Sequence, residues 1–179
     1  MKKIFLCVGL AIFVGTILVS CSKDSPFAEL LPNANVVLTD DATLMDSIYM
    51  SGGVAGVKVG NMFVISGTKS KKELLVYIKG TTDGDYGVDI SANALLSFDL
   101  TNIKTSTVIY YVSKEEYYLL VKGNITLDNT ETSMTSGTFE GKVIPAHKLA
   151  SHPSLETIKE WYDGTQNITG DFNIYSVKF

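Results

Sequence analysis

Val57-Lys58-Val59-Gly60-Asn61-Met62-Phe63-Val64-Ile65 reads as two β-strands joined by a two-residue turn. β-Branched and aromatic residues flank Gly60-Asn61, the composition of a tight hairpin. Further along, residues 74–79 place Leu74, Val76 and Ile78 on one face, the period of two that a pleated strand requires. A turn at residues 81–84 leads to a short strand at 86–90. Residues 107–112 and 117–121 flank the polar Lys114-Glu115-Glu116 turn. Residues 124–128 pair with 136–140 across a turn at 129–132. The last strand covers 168–177, with Phe172 and Ile174 facing one way and Tyr175 and Val177 the other. Upstream, Val36-Val37-Leu38 opens the first strand. Short strands separated by Gly- and Asp-rich turns predict an all-β fold, an antiparallel β-sandwich or flattened barrel.

One helix interrupts this pattern, predicted over about residues 153–163. Pro153 suits its first position, Ser151 or His152 its cap, and Gly164 its end. Leu155, Ile158 and Tyr162 form one apolar stripe. Residues 92–96 form a second, single helical turn.

The amino terminus reads as an address. Lys2 and Lys3 precede an apolar run from Ile4 to Val19, short for a bilayer span of about 20 residues and suited to a signal peptide. The run ends Leu18-Val19-Ser20-Cys21, which resembles a bacterial lipobox. There Cys21 takes a diacylglyceryl group, and cleavage leaves it as an acylated, palmitate-type N-terminus. The competing readings are an ordinary secretory signal with a chance cysteine and an uncleaved anchor. Residues 1–20 are thus assigned to the signal, 21–35 to a flexible tether holding Pro26 and Pro32, and 36–179 to the β domain.

The chain has 179 residues, and its 15 basic residues are all lysines against 19 acids, a net charge of −4. Without residues 1–20 the charge is −6, over 159 residues. An acidic chain without arginine forks is not expected to bind nucleic acid. Two cysteines, Cys7 and Cys21, build neither a disulfide scaffold nor a Cys-rich zinc site.

Catalytic signals are sparse. His152 and Glu156 are spaced to share a helix face, but the H-E-x-x-H spacing of a zinc site is absent. The acids cluster as Asp40-Asp41, Asp83/Asp85/Asp89 and Glu115-Glu116, which leaves a carboxylate-dependent hydrolase as an alternative. No catalytic residue, metal ligand or cofactor is assigned. Trp161, the sole tryptophan, adjoins Tyr162 on the inserted helix. The pair is a candidate ligand-binding site, a stacking plane for a sugar ring or a hot spot for a protein partner, against the plainer reading that Trp161 packs the helix onto the sheet. Of Tyr110/Tyr111 and Tyr117/Tyr118, one of each pair is expected inside.

Three stretches carry a resemblance: Gly123-Asn124-Ile125-Thr126-Leu127, Ser136-Gly137-Thr138-Phe139-Glu140-Gly141 and Ile168-Thr169-Gly170-Asp171-Phe172-Asn173-Ile174. They are similar to motifs near the C-terminus of a group of Bacteroidetes lipoproteins of unknown function, and the resemblance spans roughly residues 54–179. It implies a lipid-anchored antiparallel β-sandwich and carries no catalytic residue. Gly137 and Gly170, inside strand patterns, mark a bulge or a close backbone approach, with Phe139 and Phe172 as core residues.

The expectation is a non-enzymatic envelope lipoprotein at the outer membrane, on its periplasmic face or at the cell surface. It is held by lipid on Cys21, with a binding or structural role toward a glycan or an envelope protein. A glycan-binding accessory to polysaccharide uptake is the first alternative.

Overall fold

The structure, a computed structural model, describes residues 31–130 and 134–177. Residues 1–30, which hold the expected signal segment, Cys21 and most of the expected tether, lie outside the described residues. Ten strands follow in chain order: β1 (Asn33–Asp40), β2 (Thr43–Ser51), β3 (Val54–Val59), β4 (Met62–Lys69), β5 (Lys72–Ile78), β6 (Gly84–Asp89), β7 (Thr107–Tyr111), β8 (Tyr117–Asp128), β9 (Met134–Ile144) and β10 (Gln166–Val177). Three short helical pieces interrupt them: α1 (Ala92–Leu95), a 3₁₀ turn (Ala146–Ser151) and α2 (Leu155–Tyr162).

The strands form one nearly closed, barrel-like sheet. A six-stranded layer runs β2-β1-β10-β9-β8-β6, every neighbour antiparallel. A second layer runs β3-β4-β5-β7. The layers join on one side where Gly56 and Val57 pair in parallel with Ser176 and Val177. On the other, Tyr110 and Tyr111 pair with Tyr118 and Tyr117. The fold is therefore the expected all-β flattened barrel with a helix near the C-terminus.

Alternation dictates what lies inside. Val36 and Leu38 on β1, Phe63 and Ile65 on β4, Leu74, Val76 and Ile78 on β5, and Phe172 and Ile174 on β10 are all buried. Fully burying one such side chain contributes about 1.5–3 kcal/mol. The β3–β4 turn is the predicted Gly60-Asn61, with φ at Gly60 of +61°, the left-handed conformation that glycine adopts without steric cost. Of the tyrosine pairs, Tyr110 and Tyr118 are inside, while Tyr111 and Tyr117 are half-buried with ring centres 4.9 Å apart.

Gly137 and Gly170 mark close approach. Phe172 pairs with Gly137 and Phe139 with Gly170 across β9 and β10. A Cβ on Gly137 would collide with the Phe172 ring and the Thr126 carbonyl, and one on Gly170 with the Phe139 ring and the Asn35 carbonyl. Each ring covers the glycine of the facing strand, filling the space that a missing side chain leaves.

Several elements differ from the sequence reading. β1 begins at Asn33, so Asn33, Ala34 and Asn35 are strand and not tether. Residues 117–121 and 124–128 are one strand, β8, carried through a register shift between Leu120 and Lys122. The inserted helix starts at Leu155, with Ser154 as cap: its hydroxyl accepts from the Thr157 amide at 3.2 Å. Neither Ser151 nor His152 caps it, and Pro153 precedes the cap. The reason is local: the residue before a proline is disfavoured in the right-handed helical region, and His152 ends the 3₁₀ turn at φ +52°.

β2 places an acid inward. Asp46 forms an ion pair with Lys72 at the start of β5, and the buried Tyr110 hydroxyl donates to its other oxygen at 2.8 Å. Removing the carboxylate strands both partners. Asp46→Ala is expected to lower stability by about 2–3 kcal/mol, and Tyr110→Phe by about 1 kcal/mol. Denaturant unfolding of the two variants and their double mutant checks this; additive losses would show that the groups do not act together.

Candidate binding surface

The six-stranded layer turns one face to solvent, and its register aligns the outward residues in rows. One row is Tyr49, Asn35, Asp171, Thr138, Thr126 and Asp85, from β2 to β6. The row on one side is Ser51, Asn33, Asn173, Ser136 and Asp128; that on the other is Ser47, Val37, Thr169, Glu140, Asn124 and Gly87. Lysines enter only in the next row, at Lys122 and Lys142. With strands about 4.8 Å apart, the rows span roughly 24 Å across the layer.

Short amides, hydroxyls and carboxylates dominate these rows. Asn35 donates to Asp171 at 3.4 Å, and Asp85 accepts from Thr126 at 2.7 Å and from Asn124 at 3.1 Å. Such pairs hold side chains in place on a flat sheet while lone pairs and amide hydrogens still face solvent. A depression of about 280 Å³ lies among Asn124, Thr126, Thr138, Glu140 and Thr169. Tyr49 and Tyr175 are 51% and 48% exposed, so two aromatic rings stand at the margin of the polar rows.

Hydrogen bonds from Thr126, then Asn124, hold the Asp85 carboxyl below the usual carboxylate range; the Thr130 amide and hydroxyl do the same for Asp83. Their contribution to stability is present above about pH 4 and is lost as the pH falls through these lowered folded values. Burial, followed by hydrogen bonds to Asp46 and Glu116, raises the Tyr110 and Tyr118 phenols. Their contribution is present below about pH 10 and is lost as the pH rises through the raised folded values. Melting temperature against pH is therefore expected to be flat near neutrality and to fall at both ends. Asp83→Asn with Asp85→Asn should make the acid limb shallower, and Tyr110→Phe the alkaline one; unchanged limbs would contradict these assignments.

The structure separates Trp161 from Tyr162. Trp161 is half-buried against the core, with Lys148 Nζ 6.0 Å from its ring centre. It borders a cavity of about 210 Å³ with Asp40, Glu160 and Thr165. Tyr162 points elsewhere, its hydroxyl donating to Asp89 at 3.5 Å. The two side chains thus have different polar neighbours, Lys148 for Trp161 and Asp89 for Tyr162.

His152 and Glu156 do not share a helix face, because α2 begins after His152. His147 is structural: its Nδ1 lies 3.1 Å from the Tyr117 carbonyl, and its ring is edge-on to Tyr117 and Tyr118. The acid clusters disperse to separate partners: Asp83 to the Thr130 amide, Asp89 to Tyr162, Asp40 to Thr165 and Glu116 to Tyr118. Among the described residues no three His, Cys, Asp or Glu side chains converge as a metal site. No described helix is long and apolar enough to cross a membrane.

The polar rows escape sequence reading because they join strands far apart in the chain, such as Asn35 with Asp171. The available signal is that the outward positions of residues 124–128, 136–140 and 167–173 are short and polar and carry no lysine. The chain matches no protein-family model, no curated protein and no solved structure.

Proposed function

We propose that the chain is a lipid-anchored envelope protein at the outer membrane that binds a hydroxyl-rich ligand, a glycan, without chemical conversion. The Leu18-Val19-Ser20-Cys21 sequence supports the anchor, with Cys21 as the acylated residue. The observation that carries the binding role is the lysine-poor outer face of β6, β8, β9, β10 and β1. Its closely spaced amide donors and carboxylate acceptors match the alternating donor and acceptor character of sugar hydroxyls. Tyr49 and Tyr175 add rings on which a sugar face stacks. The resemblance to Bacteroidetes lipoproteins of unknown function agrees with the anchor and the fold and contributes no ligand.

A glycan array with the full chain in neutral detergent tests this reading. Asp171→Ala and Glu140→Ala are each expected to weaken the best glycan by about ten- to a hundredfold, the loss of one or two hydrogen bonds to a charged group. Trp161→Ala should leave binding unchanged. A wild-type chain that retains no glycan, or face variants that bind as the wild type does, would contradict the proposal.

A further inference from the structure

A second cavity, remote in sequence from the polar rows, has the opposite electrostatic character. It measures about 410 Å³ and lies where the Ser70-Lys71 turn between β4 and β5 meets residues 113–114 after β7. Register explains the juxtaposition: Glu73 at the start of β5 pairs with Tyr111 at the end of β7. Four of the chain's 15 lysines line this one space, namely Lys69, Lys71, Lys72 and Lys114.

Two of the four are positioned by the fold. Lys72 is held by Asp46, and Lys69 Nζ donates to the Tyr49 carbonyl at 2.7 Å. Lys71 and Lys114 make no hydrogen bond or ion pair among the described residues. Against these four cations the cavity wall holds one acid, Glu73; Asp46 lies outside the lining and pairs with Lys72, and Glu115 and Glu116 follow Lys114 in the chain without lining the space. Gathering like charges around a concavity is unfavourable until an anion neutralises them, and such a concavity focuses potential on its interior.

We propose that this cavity binds a phosphate group carried by a larger ligand. Lysines act as point charges, suited to a tetrahedral oxyanion approached from several directions; the planar, bidentate capture of a carboxylate belongs to arginine, which this chain lacks. Thr68, Ser70 and Ser113 also line the space and carry hydroxyls, of which that of Ser113 accepts from the Glu115 and Glu116 amides. The volume exceeds what an oxyanion fills and falls in the range of small-molecule sites. The half-buried Tyr111 ring, backed by Tyr117, gives the rest of the ligand an apolar wall. The lining shares no residue with the polar rows, although Lys69 of the cavity is held by the Tyr49 carbonyl.

Lysine-reactive footprinting by mass spectrometry on the full chain in neutral detergent tests the assignment. Inorganic phosphate and glycerol phosphate are the soluble probes; phosphatidylglycerol doped into the micelles is the headgroup probe. Protection of Lys71 and Lys114 at least threefold greater than that of Lys122 and Lys142 is expected with one or both. Protection by the soluble phosphates identifies a free ligand, and protection by the doped micelles alone a lipid headgroup. Lys71→Glu with Lys114→Glu should weaken phosphate binding more than tenfold, Lys71→Gln with Lys114→Gln should weaken it less, and Lys122→Glu should leave it unchanged. Thermal unfolding confirms that each variant is folded. No protection by either probe, equal protection of Lys122 and Lys142, or folded charge-reversed variants that bind as the wild type does would overturn the proposal.

Discussion

Phe139→Ala is expected to lower the free energy of unfolding by about 3–5 kcal/mol, the range for truncating a buried aromatic residue to alanine. Phe139 is 1% exposed, and its ring covers Gly170 on the neighbouring strand. Truncation opens a cavity over a glycine that has no side chain to fill it, so the site cannot collapse. The partner arrangement, Phe172 over Gly137, makes the same forecast for Phe172→Ala. Filling the hole from the other side does not help: a Cβ on Gly170 still meets the Asn35 carbonyl of β1. The double variant Phe139→Ala/Gly170→Ala should therefore be no more stable than Phe139→Ala alone. Urea unfolding with an unchanged m-value is the measurement. A loss below about 1 kcal/mol would show that these rings are not central to the packing of β9 on β10.

The reciprocal pair also explains how much of the fold is legible in the sequence. Gly137-Thr138-Phe139 and Gly170-Asp171-Phe172 place a glycine and a phenylalanine two residues apart, on the same face of each strand. That makes both rings recognisable as core and both glycines as points of close approach. That each ring covers the other strand's glycine depends on register, which brings Phe139 opposite Gly170. β2 is hidden for a different reason. Its inward positions are Asp46, Ile48 and Met50, and a leading aspartate breaks the apolar alternation. The acid is tolerated only because Lys72 and Tyr110 meet it there. Lys122-Gly123 likewise divides β8 in the sequence, while the folded strand absorbs them at a register shift.

The candidate surfaces were less legible than the fold. Trp161 stands out as a single tryptophan beside a tyrosine, yet it lies half-buried with Lys148 near its ring, and Tyr162 turns to Asp89. The polar rows and the lysine-lined cavity consist of residues that singly read as ordinary solvated side chains. Their meaning comes from adjacency: Asp171 beside Asn35, Glu140 beside Asn124, and Lys71 and Lys114 on the wall of one cavity. Pairing among strands distant in sequence creates these neighbours, and no local period encodes it.

Cys21→Ala is expected to have the largest effect on where the protein resides. Two or more acyl chains give stable membrane attachment, whereas one is marginal, so under the proposed lipidation the acceptor thiol is what holds the β domain at the membrane. Cys21 is also the only cysteine after residue 7, so no second thiol can substitute for it. The measurement is metabolic labelling with a fatty-acid analogue in a bacterial host that acylates lipoproteins, followed by separation of membrane and soluble fractions. The expected result is a labelled, membrane-bound wild-type chain and an unlabelled Cys21→Ala chain that leaves the membrane fraction under high salt. Labelling that persists in Cys21→Ala, or a wild-type chain that takes no label, would contradict it.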